Sequence, residues 1–177
     1  METARGGAAP ATSQARAWRL VLAGGMVAGT LDILYAWVFW WLRAGLPFQR
    51  ILQSVAAGLL GPGSARGGAP TAALGLVLHF GIATTMAGVY FVAARRWPVL
   101  ARQPLRFGAV YGLGLYVVMN HVVVPLSAAG PGSADPLWVA LSVAIHMGCI
   151  GIPIAVATHC AVRAPAGPPA LPRTGVA

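Results

Sequence analysis

The chain has 177 residues, a length that fits a single domain. Only 8% of these residues are charged, whereas roughly 25% are charged in an ordinary soluble domain. Hydrophobic residues make up 58%, and the mean hydropathy is +0.73. This composition excludes a free soluble globule and a disordered chain, and it indicates a protein that lies in a lipid bilayer.

The net charge of +9 and the isoelectric point of about 11.3 would indicate a nucleic-acid partner in a soluble domain. Here the arginines flank apolar segments, as they do next to membrane spans. We therefore predict no nucleic-acid partner, and we expect the lipid bilayer to be the main partner. A second copy of the chain and another membrane protein are the further partners considered.

Four stretches are apolar over about 20 residues, the length that a membrane-spanning helix requires. They cover residues 20–42, 72–94, 107–126 and 137–162. None alternates like a strand, and backbone groups in lipid must be satisfied within a helix. The sequence thus predicts an all-α fold, an integral-membrane four-helix bundle over residues 18–162.

Both ends of the chain are predicted to be disordered tails, over residues 1–17 and 163–177, because neither holds enough apolar residues to order itself. The first apolar stretch is longer than the core of a cleaved signal peptide, and tryptophans follow it, so we predict a retained helix.

The arginines predict the orientation of the four helices. Three arginines lie in the connections on one side, at positions 43, 50 and 66, and nine lie on the other side. The positive-inside rule then places both termini in the cytoplasm. The nine are Arg5, Arg16, Arg19, Arg95, Arg96, Arg102, Arg106, Arg163 and Arg173.

Residues 47–60 predict a short amphipathic helix on the periplasmic side, opened by Pro47 and ended by Gly61. This helix is expected to lie on the outer membrane surface or to cap the bundle. Residues 61–70 are expected to form a flexible link. The predicted apolar face is Phe48, Ile51, Leu52, Val55 and Leu59, and the predicted polar face is Gln49, Arg50, Gln53 and Ser54.

Polar residues within the apolar stretches are the candidate functional site, because ionisable groups are costly in a bilayer. Counted from the outer end of each stretch, the four ionisable side chains lie at depths of roughly 8–14 Å. One comes from each helix, so we predict a polar cluster in the outer half. The cluster is Asp32, His79, Asn120, His121 and His146.

Small residues near these positions predict close helix packing. Pro153 is expected to kink the fourth helix and to free a backbone carbonyl near His146. The predicted packing residues are Gly25, Gly29, Gly75, Gly108, Gly112 and Pro153.

Three roles for the cluster stay open. The first is a structural or partner-supporting hydrogen-bond network, and the second is proton or ion handling in a small transporter. The third is ligation of haem or a divalent metal, although no two histidines have the i, i+4 spacing of a metal site. The motifs of zinc proteases, serine hydrolases and P-loop enzymes are absent from the sequence, so we expect neither an enzyme nor a firmly bound cofactor.

Several strings resemble a family of small bacterial inner-membrane proteins with four spans and no assigned activity. The resemblance covers residues 18–162 and implies a multi-pass protein of the bacterial inner membrane. Asp32, His79 and Asn120 fit the family pattern, whereas the position of His121 is often apolar there. The strings are AGTLDI at 28–33, ILQSVAAGLLG at 51–61, LHF at 78–80 and VMNHVVVPLS at 118–127.

Overall fold

The computed structural model describes residues 11–163 and contains no strand within that range. Four of its helices are long enough and apolar enough to cross a membrane. The predicted all-α fold with four such helices is therefore confirmed. In chain order the helices are α1 (Ala11–Ala44), α2 (Phe48–Leu60), α3 (Gly68–Arg96), α4 (Val99–Arg102), α5 (Pro104–Leu126) and α6 (Pro136–Arg163).

The four long helices alternate in direction and α6 contacts the other three. One end of the bundle, here named the α2 end, holds two connections. One leads from α1 through α2 to α3, and the other leads from α5 to α6. The short helix α4 lies between α3 and α5 at the opposite end, named the α4 end. The neighbouring pairs that establish this order are Gly24 with Ala157, Gly25 with Thr84, and Gly108 with Gly151.

Two groups of buried apolar side chains hold the helices together. The larger one joins α1, α3, α5 and α6, and it includes Val21, Tyr90 and Ile154. The smaller one packs α2 against α1 and α3 through Ile33, Ile51 and other apolar side chains. Large apolar side chains also cover much of the outer surface, which a water-facing surface would not favour.

The face of α2 that packs against the bundle includes the predicted Ile51 and Leu52 but differs from the prediction at two positions. Gln53 is 2% exposed, whereas Leu59 is 64% exposed. The Gln53 side chain donates from Nε2 to the carbonyl oxygen of Gly68 at 3.0 Å, and the backbone carbonyl oxygen of Gln53 accepts from Ser64 Oγ at 3.0 Å. The assignment of Gln53 to a solvated polar face was wrong, because polar partners from the next connection lie against it.

The connection after α2 is an ordered turn and not the flexible link predicted for residues 61–70. It forms a 3₁₀ helix over Pro62–Arg66, and α3 begins at Gly68. The Arg50 guanidinium donates to the carbonyl oxygen of Ala65 at 2.8 Å, which fixes the turn to α2.

The first helix begins before the predicted boundary. Residues 11–17, placed in the disordered tail by the sequence, belong to α1, and Ala17 is buried in the core. The remainder of the predicted tails, residues 1–10 and 164–177, lies outside the described residues.

Two π-helical turns widen α5 and α6, over Met119–Val123 and His146–Gly151. Each turn lies just ahead of a proline: Val124 donates to the Met119 carbonyl oxygen before Pro125, and Ile152 donates to the Met147 carbonyl oxygen before Pro153. Proline lacks an N–H and clashes with the carbonyl four residues earlier, and a wider turn relieves both effects. Pro153 therefore coincides with a local widening of α6.

Asp135 ties the loop before α6 to the end of α1. Its carboxylate accepts from the backbone N–H groups of Leu137 and Trp138, at 2.9 and 3.2 Å, and thus caps α6. It also pairs with Arg43 at 2.6 Å. The hydrogen bond from Arg43 is the largest cause that lowers the pKa of Asp135 below its ordinary value of 3.8, and the Trp138 N–H lowers it further.

Candidate functional site

A cavity of about 340 Å³ lies between the four long helices and is covered at the α2 end by α2. Its walls on α1 extend from Ala28 to Trp40, a rise of about 18 Å along the helix. Ser54, Val55 and Gly58 of α2 close the end. This volume lies near the lower end of the range of about 300–1,000 Å³ that is typical of ligand pockets.

Asp32 lines the middle of this cavity and is partly exposed to it. Within residues 11–163, no hydrogen-bond donor and no arginine pairs with its carboxylate. The imidazoles of His146 and His79 are near enough to act on the carboxylate electrostatically. Asp32 is thus a carboxyl group that faces a cavity with both oxygens free for another partner.

His79 enters the cavity from α3, opposite Asp32 on α1. Its Nε2 lies 2.8 Å from the backbone carbonyl oxygen of Gly29. Since a carbonyl can only accept, Nε2 is the donor and holds a proton. The Nδ1 lone pair of neutral His79 is therefore left for another donor or for a proton.

His146 enters the cavity from the π-helical turn of α6. Its Nδ1 donates to the backbone carbonyl oxygen of Ser142 at 2.8 Å, and the ring of Tyr116 packs edge-on against it at 5.4 Å. By the same argument the Nε2 of neutral His146 carries the free lone pair. Both histidines are thus oriented by backbone carbonyls and not by each other or by Asp32.

Asn120 and His121 are neighbours in sequence but lie in different surroundings. Asn120 lines the cavity, and its Nδ2 donates to the carbonyl oxygen of Tyr116 at 3.0 Å. His121 is exposed on the outside of α5, where its Nδ1 donates to the carbonyl oxygen of Val117 at 3.2 Å. The structure therefore brings together Asp32, His79, Asn120 and His146, and it leaves His121 apart from them.

Tyr35 is a further polar residue of the cavity, and it was not among the residues predicted from the sequence. Its hydroxyl lies 3.1 Å from Ser142 Oγ and 3.3 Å from the carbonyl oxygen of Trp138, and its ring stacks on that of Trp138. Tyr35 follows Asp32 by three residues, so it lies on the same face of α1. That spacing was the signal that could have identified it.

The small residues named from the sequence lie where helices approach each other most closely. A Cβ added at Gly25 would lie 2.8 Å from the Thr84 Cα, and one at Gly29 would lie 3.0 Å from the Phe80 ring. At Gly75 the α2 backbone at Leu52 occupies the space instead. The same holds for Gly108 and Gly112, which pack on the α6 backbone at residues 151 and 146.

The ionisable groups that approach one another in the cavity wall are the carboxyl group of Asp32 and the imidazoles of His79 and His146. Asp32 is an acid, and no arginine from residues 11–163 lines the cavity. Among those residues, no three His, Cys, Asp or Glu side chains come together in a group that could hold a metal ion. Apart from Asp32, His79, His146 and the amide of Asn120, the wall is apolar or carries hydroxyl groups, and Trp40 and Trp138 lie toward the α2 end.

No known family matches the chain, and no curated protein and no solved structure is significantly similar to it. The resemblance of residues 18–162 to a family of four-span inner-membrane proteins therefore stays a prediction. The function has to be argued from the geometry of the cavity.

Proposed function

We propose that the chain is a multi-pass protein of the bacterial inner membrane with both termini in the cytoplasm. Four long apolar helices and an apolar outer surface support the membrane assignment. Among the described residues, seven arginines lie toward the α4 end and three toward the α2 end, which supports a cytoplasmic α4 end. In this orientation the cavity lies in the periplasmic half, beneath α2.

Within that setting, we propose a small proton-coupled transporter that holds its solute in the cavity and uses Asp32 as the proton-binding group. The observation that carries this proposal is the free carboxylate of Asp32 in a cavity of ligand size. An acid within a membrane helix that faces an internal cavity is typical of a solute or proton pathway. The protein is proposed to act without chemical conversion of the solute.

The geometry favours this role over a structural or partner-supporting network. A network that holds helices together needs hydrogen bonds between the side chains of different helices. In the described part of the chain, Asp32 makes no such bond, and His146 bonds within its own helix. His79 does bridge two helices, from α3 to the Gly29 carbonyl of α1, so its removal serves as the structural comparison.

Haem or metal binding is the remaining candidate from the sequence. The free ring nitrogens of His79 and His146 are of the kind that ligate metals, because the second nitrogen of each ring is held by a carbonyl. The absence of a third ligand among residues 11–163 does not favour it. An absorption spectrum and a metal analysis of the purified protein test this candidate directly.

The proposed transport is tested with the full chain reconstituted in vesicles on a solid-supported membrane. Solutes of several classes are applied under an imposed pH difference, and transient currents are recorded. We expect at least one class to give currents that Asp32→Asn abolishes. The matched control is Thr30→Val, because Thr30 is exposed on the same helix and bonds only to the Met26 carbonyl oxygen.

Thermal unfolding of the same variants distinguishes transport from a structural role. We expect Asp32→Asn to keep the unfolding midpoint of the wild type, since no bond to Asp32 is lost, and His79→Ala to lower it. Currents that persist unchanged in Asp32→Asn would contradict the proposal. A lowered midpoint for Asp32→Asn without any solute current would support the structural role.

A further inference from the structure

The hydrogen-bonding groups of the cavity are unequally divided between donors and acceptors. Ser54 Oγ donates to the carbonyl oxygen of Ile51 at 2.7 Å, and Ser127 Oγ donates to that of Val124 at 2.8 Å. The Tyr35 hydroxyl is engaged with the Trp138 carbonyl and Ser142 Oγ. The hydroxyl protons of the wall are thus used within the protein.

The acceptors of the wall are largely unused. Two carboxylate oxygens of Asp32, one ring nitrogen each of His79 and His146, and the Oδ1 of Asn120 have no donor among the described residues. A buried acceptor that stays unpaired costs free energy, so a ligand that fills this cavity has to supply donors.

The charge and the aromatic rings of the cavity also favour a ligand that carries donors and a positive charge. Asp32 is the one acid of the wall, and no arginine of residues 11–163 neutralises it there. The rings of Trp40 and Trp138 line the end nearer to α2 and lie 5.3 Å apart. Aromatic faces attract cations as well as apolar groups.

We propose that the cavity takes a small organic ammonium ion, with an apolar body toward the tryptophans and N–H groups toward Asp32 and the histidines. This inference rests on the proposed solute-binding function and names its substrate class. An ammonium group brings only donors and one positive charge, which matches the free acceptors and the unpaired carboxylate. A carboxylate solute would instead place a second negative charge beside the Asp32 carboxylate.

The inference is tested by a comparison that needs no variant. Three probes of nearly the same shape are added to the purified full chain: 2-cyclohexylethylammonium, 2-cyclohexylethanol and 3-cyclohexylpropionate. Binding is followed by tryptophan fluorescence, because Trp40 and Trp138 line the cavity and the probes do not absorb in that range. We expect the ammonium probe to bind at least tenfold more tightly than the other two.

Two variants then test whether Asp32 causes the preference for the ammonium probe. Asp32→Asn is expected to reduce the preference for the ammonium probe to less than threefold, whereas Thr30→Val is expected to keep it. The inference is overturned if the alcohol or the carboxylate binds as tightly as the ammonium, if the preference survives in Asp32→Asn, or if none of the three probes binds. Vesicle currents with solutes other than amines that Asp32→Asn abolishes would then show that the proposed function still holds.

Discussion

Gly112 is a position where the absence of a side chain sets the distance between two helices. A Cβ there would overlap the backbone carbonyl of His146, which α6 cannot move without a shift of its π-helical turn. Gly114 lies two residues further along the same helix and is open, with no atom within 4 Å of an added Cβ. The two glycines therefore offer a matched comparison.

We expect Gly112→Ala to lower the free energy of unfolding by about 1–3 kcal/mol, because the added methyl forces α5 and α6 apart. Gly114→Ala is expected to raise it by about 0.5–1 kcal/mol, since alanine favours the helix over glycine. Thermal unfolding of both variants in the same detergent measures the difference. Equal midpoints would show that the close contact between α5 and α6 is absent.

The ion pair of Asp135 with Arg43 predicts a dependence on acid. The folded-state pKa of Asp135 lies below 3.8, so its contribution to stability is fully present above that value and is lost as the pH falls through the folded-state pKa. We therefore expect the thermal unfolding midpoint of the wild type to decrease as the pH is lowered below 3.8. In Asp135→Asn, whose side chain can still cap α6, this fall should be smaller; an equal fall in both proteins would contradict the assignment.

At the scale of helices, α2 is held by its apolar side chains and also by Gln53, which the periodicity assigned to the polar face. An apolar repeat shows which residues share a face, but it does not reveal polar partners from another segment. Gln53 finds such partners at Gly68 and Thr71, where α3 begins. The sequence therefore predicted the packing of Ile51 and Leu52, but not the burial of Gln53.

We expect Gln53→Ala to lower the free energy of unfolding by about 0.5–1.5 kcal/mol, because the contact between α2 and α3 loses the hydrogen bond from Gln53 to the Gly68 carbonyl, which keeps only its bond from Thr71. Gln49 is exposed on the same helix, and Gln49→Ala is expected to change stability by less than about 0.5 kcal/mol. Chemical or thermal unfolding checks both values. A Gln49→Ala effect as large as that of Gln53→Ala would contradict the assignment of this stability to the hydrogen bond of Gln53.

For the molecule as a whole, the number of long apolar helices followed from the sequence, because each apolar stretch has the length that a spanning helix requires. The start of α1 did not follow, since this helix extends back to Ala11. The residue counts along each stretch also gave the depths of Asp32, His79 and His146, which line one cavity. Depth does not give the direction around a helix, since neighbours differ by about 100°. Asn120 and His121 show this: one lines the cavity and the other lies on the outer surface.

The proposed orientation predicts which ends can be labelled from outside the cell. With Cys149 and Cys160 replaced by alanine, Gly63→Cys places a thiol on the exposed turn at the α2 end, and Arg102→Cys places one on exposed α4. We expect a membrane-impermeant maleimide to label position 63 in intact cells and position 102 only after permeabilisation. The reverse pattern, or equal labelling of both, would contradict a cytoplasmic α4 end.

The π-helical turn of α6 has a consequence for length changes in the chain. A turn closed by a bond over five residues holds one residue more than an α-helical path through the same place. Deleting one residue from His146–Gly151 would therefore leave the phase of the following helix intact, so that Pro153 and Ala157 still pack against Gly24 of α1. A deletion in the regular part of α6 would instead rotate everything beyond it by about 100°. Natural variants one residue shorter are thus expected to have lost that residue from this turn, together with its carbonyl geometry beside the cavity.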